Sequence, residues 1–405
     1  MVLLYDLGIR MYALSIALAS IFNPKAKEWI LGRRGLLSRI ENKVGTSDRE
    51  TLWVHCASLG EFEMARPVME GLKERDSSIR IVLTFFSPSG YRVRKDYSVA
   101  DHVFYLPTDT ESNARRFIKA IRPSTVIFVK YDLWLHYLQE AKRSGAHLIM
   151  IAAQFRPEQH YFRWYGTVGR TALKAFDRVF LIDEKSDRLL QTIKVSTGTV
   201  CGDPRYDRVM KVARTAGADL AMETFKADSK LVICGSTWKE DETLLAEAIR
   251  KFPKVKWVLA PHEAGETHLR QLESLLGNTV RYSRSGDNPE TRVMLVDGVG
   301  FLSRLYRYAD VAYVGGAFRT GLHNILEATA FGVPTIFGPD HSRFPDAGGM
   351  AAKNLAFSIR DQQELNDRLA LLLCADRSDL RNRISEFMHS RTGASAAVLG
   401  YLKDR

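Results

Sequence analysis

The chain predicts an α/β fold built from two βα-repeating halves, and three observations carry that expectation. Short β-rich apolar runs alternate with helix-length segments between residues 51 and 339, and the rhythm pauses once, near residue 205. The length, 405 residues, exceeds one typical core and sets a prior of two or three domains. Strands that are apolar throughout, with helices between them, indicate a parallel sheet covered on both faces.

In the first half the expected strands are "TLWVH" (51–55), "IRIVLTF" (79–85), "HVFYL" (102–106), "TVIFV" (125–129), "HLIMI" (147–151) and "RVFLI" (178–182). The segment "GEFEMARPVMEGLKER" (60–75) spaces its apolar positions at three and four, as a helix requires. After "GDPRYDRV" (202–209) and a polar stretch to Lys230, the second half restarts with "LVICGS" (231–236), "KWVLAP" (256–261), "VMLVD" (293–297), "VAYVGG" (311–316) and "PTIFGP" (334–339). "FLSRLYRYAD" from Phe301 reads as a helix leading into the fourth of these. Two Rossmann-like domains facing a cleft are therefore expected.

Composition narrows the class of partner. Hydrophobic residues at 45% with 26% charged exclude a disordered chain, and a net charge of +11 favours an anionic partner. The basic residues are scattered, which disfavours a nucleic-acid-binding tail; no nucleic-acid partner is expected. Cys56, Cys201, Cys234 and Cys374 lie far apart without a CxxC pair, so neither a metal cluster nor a disulfide framework is indicated.

The N-terminus differs from the rest. An apolar run from Met11 to Phe22 follows a stretch broken by Asp6 and Arg10, ends at Asn23-Pro24, and precedes Lys25, Lys27, Arg33 and Arg34. The run is shorter than the ~20 residues that cross a bilayer. Apolar helix followed by basic cluster suits an anchor on an anionic leaflet. An amphipathic helix packed on its own domain is the alternative.

Ligands of doubly wound domains bind at the carboxyl ends of strands, so the residues there are the candidates for function. In the first half, Ser58, Gly60 and Glu61 follow the first strand. Glu61 in a first helical turn either complements the helix dipole or serves as a general base. Ser87 and Ser89 lie in the turn "SPSGYR", and Lys130, Tyr131 and Asp132 follow "TVIFV". In the second half, Gly235, Ser236 and Thr237 follow a strand, as a phosphate cradle or a helix cap. Pro261 and His262 follow the next, and "HEAGE" lacks the second histidine of HExxH, so a metalloprotease is rejected. The segment "GGAFRTGLHNILEATAFGVP" (315–334) places Gly315 and Gly316 at a strand end, for close backbone approach by a ligand. It then carries His323 and a helix expected over 324–330, with Asn324 at a phosphate-binding N-terminus and Glu327 on the same face for a sugar hydroxyl. Donors for phosphate beside an acceptor for a sugar indicate a nucleotide-sugar site, and GxGxxG is absent.

These residues resemble a known family. "GGAFRTGLHNILEATAFGVPTIFGPDHSRF" resembles the donor-site segment of GT-B glycosyltransferases, in particular the 3-deoxy-D-manno-octulosonic acid (Kdo) transferases of lipopolysaccharide synthesis. "WVHCASLGEFEMARPVMEGL" resembles that family's Trp-x-His-x-x-Ser-x-Gly-Glu motif, while "GDPRYDRV" and "CGSTWKEDE" resemble two shorter ones. The resemblance implies an N-terminal membrane-anchoring segment (1–35), an acceptor-binding domain (36–205) and a donor-binding domain (206–405). It implies CMP-Kdo as donor, a lipid A precursor (lipid IVA) as acceptor, the cytoplasmic face of an anionic inner membrane as location, and Glu61 as the base of an inverting transfer. No cofactor or metal ligand is expected. Two departures stand out: Lys130 in "VKYDLW" where the family has a carboxylate, and Pro261-His262 without the usual intervening arginine. A sugar-nucleotide epimerase of the same fold and an inactive sugar-binding homologue are the rival readings.

Overall fold

Each stretch with strand-like periodicity pairs in parallel with its neighbours in the computed structural model, which describes residues 2–45, 48–286, 291–319 and 321–404. The chain forms two units, Met1–Arg208 with Thr392–Arg405, and Val209–Arg391.

The first unit holds β1 (Thr51–Cys56), β2 (Arg80–Phe85), β3 (His102–Tyr105), β4 (Thr125–Val129), β5 (His147–Ala153), β6 (Arg178–Leu181) and β7 (Gly198–Val200) in the order β3-β2-β1-β4-β5-β6-β7. In β1, β2 and β4 every residue is buried, which is why they read as unbroken apolar runs rather than alternations. The second unit holds β8 (Leu231–Thr237), β9 (Lys256–Pro261), β10 (Thr279–Arg281), β11 (Val293–Leu295), β12 (Val311–Val314), β13 (Thr335–Phe337) and β14 (Ala356–Ser358) in the order β10-β11-β9-β8-β12-β13-β14. All pairings in both sheets are parallel. β7, β10 and β14 were not among the expected strands; each is three residues long and lies at a sheet edge.

Two expectations need correction. The second domain was expected to run to residue 405, but the helix Ala394–Lys403 returns to the first unit. Val398 is fully buried there, and Asp207 accepts hydrogen bonds from the Gly393 and Ser395 amides at 2.6 and 2.7 Å. The leucine side chain of Leu399 fills the space that a Cβ on Gly71 would take. The expected helix over 324–330 is a single turn, Leu326–Thr329. One turn has too few aligned peptides to build the positive end on which the phosphate expectation rested.

The N-terminal helix Val2–Ala19 is long and apolar enough, by length and composition, to cross a membrane, and none of its residues is buried. Leu3, Leu4, Leu7, Met11, Leu14 and Leu18 stand exposed along it. Tyr5, Asp6 and Tyr12 point the other way, while Arg10 is exposed. Tyr5 donates to Asp109 at 2.5 Å, and Asp6 meets His136 Nε2 at 2.6 Å. Asp109 also accepts from the His136 and Tyr137 amides, at the start of the helix that follows β4. Further along, Tyr12 stacks on Phe86, just past β2, at 6.2 Å. Asn23 then caps the next helix, Pro24–Arg33, with Pro24 at its first position.

Candidate functional site

The two halves of the expected site lie in different units. In the first unit the carboxyl ends of β1, β2 and β4 are adjacent in the sheet, with β1 in the middle. His55 sits opposite Thr84 in the β1–β2 register and opposite Phe128 in the β1–β4 register, so the turns after these strands start side by side.

Ser58 caps the helix Leu59–Arg75, accepting the Glu61 amide at 3.4 Å. The Glu61 side chain folds back, and its Oε2 accepts the Ala57 amide at 2.5 Å. The other oxygen, Oε1, accepts nothing among the described residues. Burial, and then the nearby charge of Asp132, raise the Glu61 carboxyl above the usual carboxylate range, against the Ala57 hydrogen bond, His55 and Lys130. A carboxylate pushed up in this way, with one oxygen fixed and one open, has the form of a general base. The helix-dipole role and the base role are compatible, because the cap uses the Glu61 amide and only one carboxylate oxygen.

Asp132 is held by a buried chain that the sequence reading missed. Trp53 Nε1 donates to Thr84 Oγ1 at 2.8 Å, Thr84 meets His55 Nδ1 at 2.9 Å, and His55 Nε2 meets Asp132 Oδ2 at 2.9 Å. Trp134 Nε1 adds a second donor to the same oxygen at 3.0 Å. The available signal was a tryptophan and a histidine two apart in an otherwise apolar strand, hence on one face. Lys130 follows β4 at φ +63°, a left-handed backbone that is rare and costly for a side-chain-bearing residue. Burial lowers its ammonium pKa, partly offset by Glu61, whose charge acts on it. Ser87 and Ser89 sit at the end of β2, their hydroxyls 3.2 Å apart, with Ser87 capping Gly90. Gly60 has open space at its Cβ position save for Ser58 Oγ at 3.9 Å.

Above this group lie aromatic rings. Phe86 stacks on Trp134 at 4.9 Å, and Arg33 lies over Trp29 at 3.9 Å while donating to the Phe86 and Leu106 carbonyls at 2.9 Å each. Burial lowers the Arg33 pKa to about 9. The sequence reading placed Arg33 among cations facing lipid headgroups; it is instead a half-buried brace. Lys25, Lys27 and Arg34 are exposed.

In the second unit, Trp238, His262 and His323 form one stack at the ends of β8, β9 and β12. Ring centroids are 4.6 Å apart for Trp238–His262 and 4.5 Å for His262–His323. Trp238 Nε1 donates to His323 Nε2 at 2.9 Å. Indole N–H only donates, so Nε2 of His323 is the acceptor and the proton of the neutral ring sits on Nδ1. Desolvation, then His262, lowers the His323 pKa to about 4, so the ring is neutral near pH 7. Its Nδ1–H has no protein partner among the described residues. Trp238 was not among the expected site residues.

The glycines serve a different purpose from the one expected. A Cβ on Gly315 would lie 2.6 Å from Asp241 Oδ2 and from the Ser236 carbonyl, and one on Gly316 would lie 2.8 Å from the His323 ring. The chain's own atoms fill that space, as Tyr306 does beside Gly235 at 2.0 Å. Asp241, buried and raised by desolvation, accepts from Tyr313, Gly316 N and Trp238 N at 2.7, 2.9 and 2.9 Å. It is the organiser of this strand end. Thr237 is likewise occupied, donating to Glu242 at 3.0 Å, and its carbonyl accepts the His262 amide at 3.0 Å. Ser236 stands at φ +53° and Pro261 ends β9. Asn324 Nδ2 donates to Glu327 Oε1 at 3.3 Å, so those two share a face as expected. Thr320, inside the 315–334 segment, lies outside the described residues. A cavity of about 490 Å³ opens beside Trp238, lined by Thr237, Lys239, Glu242, Glu263 and His268 among others.

Two parallel-sheet α/β units with polar groups at their strand ends, preceded by one apolar helix, define a GT-B-type protein. The UDP-GlcNAc 2-epimerase of Neisseria meningitidis, solved bound to UDP-GlcNAc, superposes with a TM-score of 0.61 over 88% of this chain and 100% of its own, at 15% identity. MurG of Acinetobacter baumannii superposes at 0.55 over 88% of this chain and 100% of its own, at 13% identity. At such identities the likeness is one of fold.

Sequence comparison is more specific. The family model described as 3-deoxy-D-manno-octulosonic-acid transferase (kdotransferase) matches residues 31–208. The 3-deoxy-D-manno-octulosonic acid transferase of Chlamydia trachomatis serovar A is 29% identical over 301 residues, 71% of this chain and 70% of its own. That of Bordetella pertussis is 28% identical over 378 residues, 87% of each chain. Together these matches support the assignment of this chain to the Kdo transferase family.

Proposed function

We propose that the chain is an inverting glycosyltransferase that moves Kdo from CMP-Kdo to a lipid A precursor of the lipid IVA type, at the cytoplasmic face of an inner membrane. Family assignment supports Kdo transfer in lipopolysaccharide synthesis. The observation that carries the finer reading is Glu61: a carboxylate of raised pKa at the central strand end of the first unit, one oxygen free.

In this reading Glu61 takes the proton of the acceptor hydroxyl as its oxygen attacks the anomeric carbon of Kdo. The bond from that carbon to the CMP phosphate oxygen breaks, and CMP leaves from the opposite face, which inverts the centre. Lys130 and Ser87, Ser89 and Ser58 supply a cation and hydroxyls beside Glu61 for the phosphorylated acceptor, and Asp132 tunes the base. In the second unit, His262, the neutral Nδ1–H of His323, Ser236, Asn324 and Glu327 are assigned to the donor. Neutral donors aimed at a phosphate favour the charge that develops on the leaving CMP.

The N-terminal helix supports a lipid acceptor. It touches unit 1 at residues following β2 and β4, so it lies beside the end of the sheet where Glu61 sits. Eighteen residues rise about 27 Å, but Tyr5, Asp6 and Tyr12 all contact the same unit. That arrangement supports a helix lying in the membrane surface, with its leucines toward lipid, rather than one crossing it. An epimerase acting on a soluble sugar nucleotide has no use for this helix. The test is purified protein with CMP-Kdo and lipid IVA: CMP release with a matching mass gain on the lipid supports the reading, and turnover of a free UDP-sugar without lipid replaces it with the epimerase.

A further inference from the structure

The segment "QFRPEQHYFRWYG" (154–166) joins β5 to the helix Thr167–Leu173, and its exposed tip has no role in the transfer chemistry above. Its neck is fixed. Phe155 and Tyr161 are buried, their rings in edge contact at 5.6 Å, and the Phe155 amide donates to Ser186 Oγ at 2.8 Å. Arg170 Nη1 donates to the Tyr161 and Arg163 carbonyls at 3.1 and 2.7 Å, and Nη2 reaches the Trp164 carbonyl at 3.3 Å and Thr167 Oγ1 at 3.1 Å. A Cβ on Gly166 would lie 2.1 Å from the His160 carbonyl, which only a glycine permits.

This braced loop holds its largest rings outward. Trp164 is 90% exposed and Tyr165 55%, the two rings perpendicular at 5.4 Å, and Arg156 and Arg163 are exposed in the same loop. Rigidly presented tryptophan and tyrosine, apolar in body and polar at one edge, suit the headgroup layer of a bilayer, and arginines of the same loop suit its phosphates. Position agrees. The loop leaves the carboxyl end of β5, which pairs with β4, and the N-terminal helix is hydrogen-bonded just past the end of β4. Arg156 acts electrostatically on Lys130.

We propose that Trp164 and Tyr165 form a second membrane contact of this chain, seated in the interfacial layer of an anionic bilayer with Arg156 and Arg163 at the level of its phosphates. This rests on the reading of the Val2–Ala19 helix as membrane-bound. With two contacts flanking the Glu61 end of the sheet, a lipid-borne acceptor is met at the depth of its own headgroup.

The test uses the full chain with vesicles of zwitterionic lipid alone or mixed with phosphatidylglycerol, with and without brominated acyl chains. Flotation reports membrane binding as such, and bromine quenching compared between wild type and Trp164→Phe isolates the emission of Trp164. The proposal expects flotation, quenching of the Trp164 component, and about fivefold weaker binding of Arg163→Gln to anionic vesicles only. A chain that floats while wild type and Trp164→Phe lose the same emission overturns the second contact and leaves the helix anchor standing. A chain that does not float overturns both. Trp164 emission that responds to a soluble acceptor disaccharide, and not to lipid, makes it a substrate subsite instead.

Discussion

Replacing Trp238 with phenylalanine removes one hydrogen bond and keeps a ring in the stack. In the structure the indole N–H fixes His323 as its Nδ1–H tautomer, at 2.9 Å, while the ring face lies on His262 at 4.6 Å. Both partners are neutral, so the bond contributes about 0.5–1.5 kcal/mol net. If His323 Nδ1–H meets the donor substrate, Trp238→Phe raises the KM for CMP-Kdo by roughly two- to twelvefold. The KM for the lipid acceptor does not change, because its residues lie in the other unit. Nitrogen-15 NMR of the histidine side chains reports the tautomer directly: wild type shows one form of His323, and the variant a mixture. Trp238→Ala loses the stack as well and falls further. A variant with a mixed tautomer and an unchanged donor KM refutes the assignment of His323 to the donor, and an unmixed tautomer refutes the role of Trp238.

Three further outcomes follow from the geometry. Burial raises the Glu61 carboxyl in the folded chain, with Asp132 adding to it and His55 and Lys130 opposing, so its ionisation opposes folding. That cost is absent below the unfolded carboxyl value and grows as pH rises through the folded one; Glu61→Gln therefore melts higher than wild type near neutrality, and the gain closes toward about pH 4. Asp109→Ala orphans the His136 and Tyr137 amides and the Tyr5 hydroxyl, and lowers the unfolding free energy by about 2 kcal/mol in urea titration, with faster proteolysis of the N-terminal helix. Deleting residues 392–405 uncovers the face of the helix Leu59–Arg75 on which Leu399 packs, and costs the first unit more than about 2 kcal/mol; amide exchange then rises in that helix and not in the second unit.

The sheets were legible because their central strands are buried on both faces and read as apolar runs with abrupt ends. The three missed strands, β7, β10 and β14, are edge strands of three residues such as Thr279–Arg281, too short to carry a period. Nothing local marks which unit "ASAAVLGYLK" joins, since its partner, the helix Leu59–Arg75, lies more than 300 residues away in sequence. At the candidate site, Glu61, Lys130 and Asp132 were found because they follow strand ends in the sequence. Thr84 escaped and His55 entered only as a motif position without a role, because both sit inside strands, and the connection from Trp53 to Asp132 exists only once β1, β2 and β4 are adjacent. Gly315 and Gly316 were read as room for a ligand against the backbone, and the side chains that a Cβ there would meet, Asp241 and His323, are set by tertiary contacts that the local sequence does not show.

The central claim is that Glu61 is the base of a Kdo transfer to lipid. Glu61→Gln retains an acceptor for the Ala57 amide, so the fold is kept while the proton acceptor is lost. Single-turnover assays of the variant with CMP-Kdo and lipid IVA, run beside wild type and with donor binding measured separately, test it. The account predicts intact donor affinity and a transfer rate lower by at least about a hundredfold. Transfer at the wild-type rate by a folded Glu61→Gln protein contradicts it.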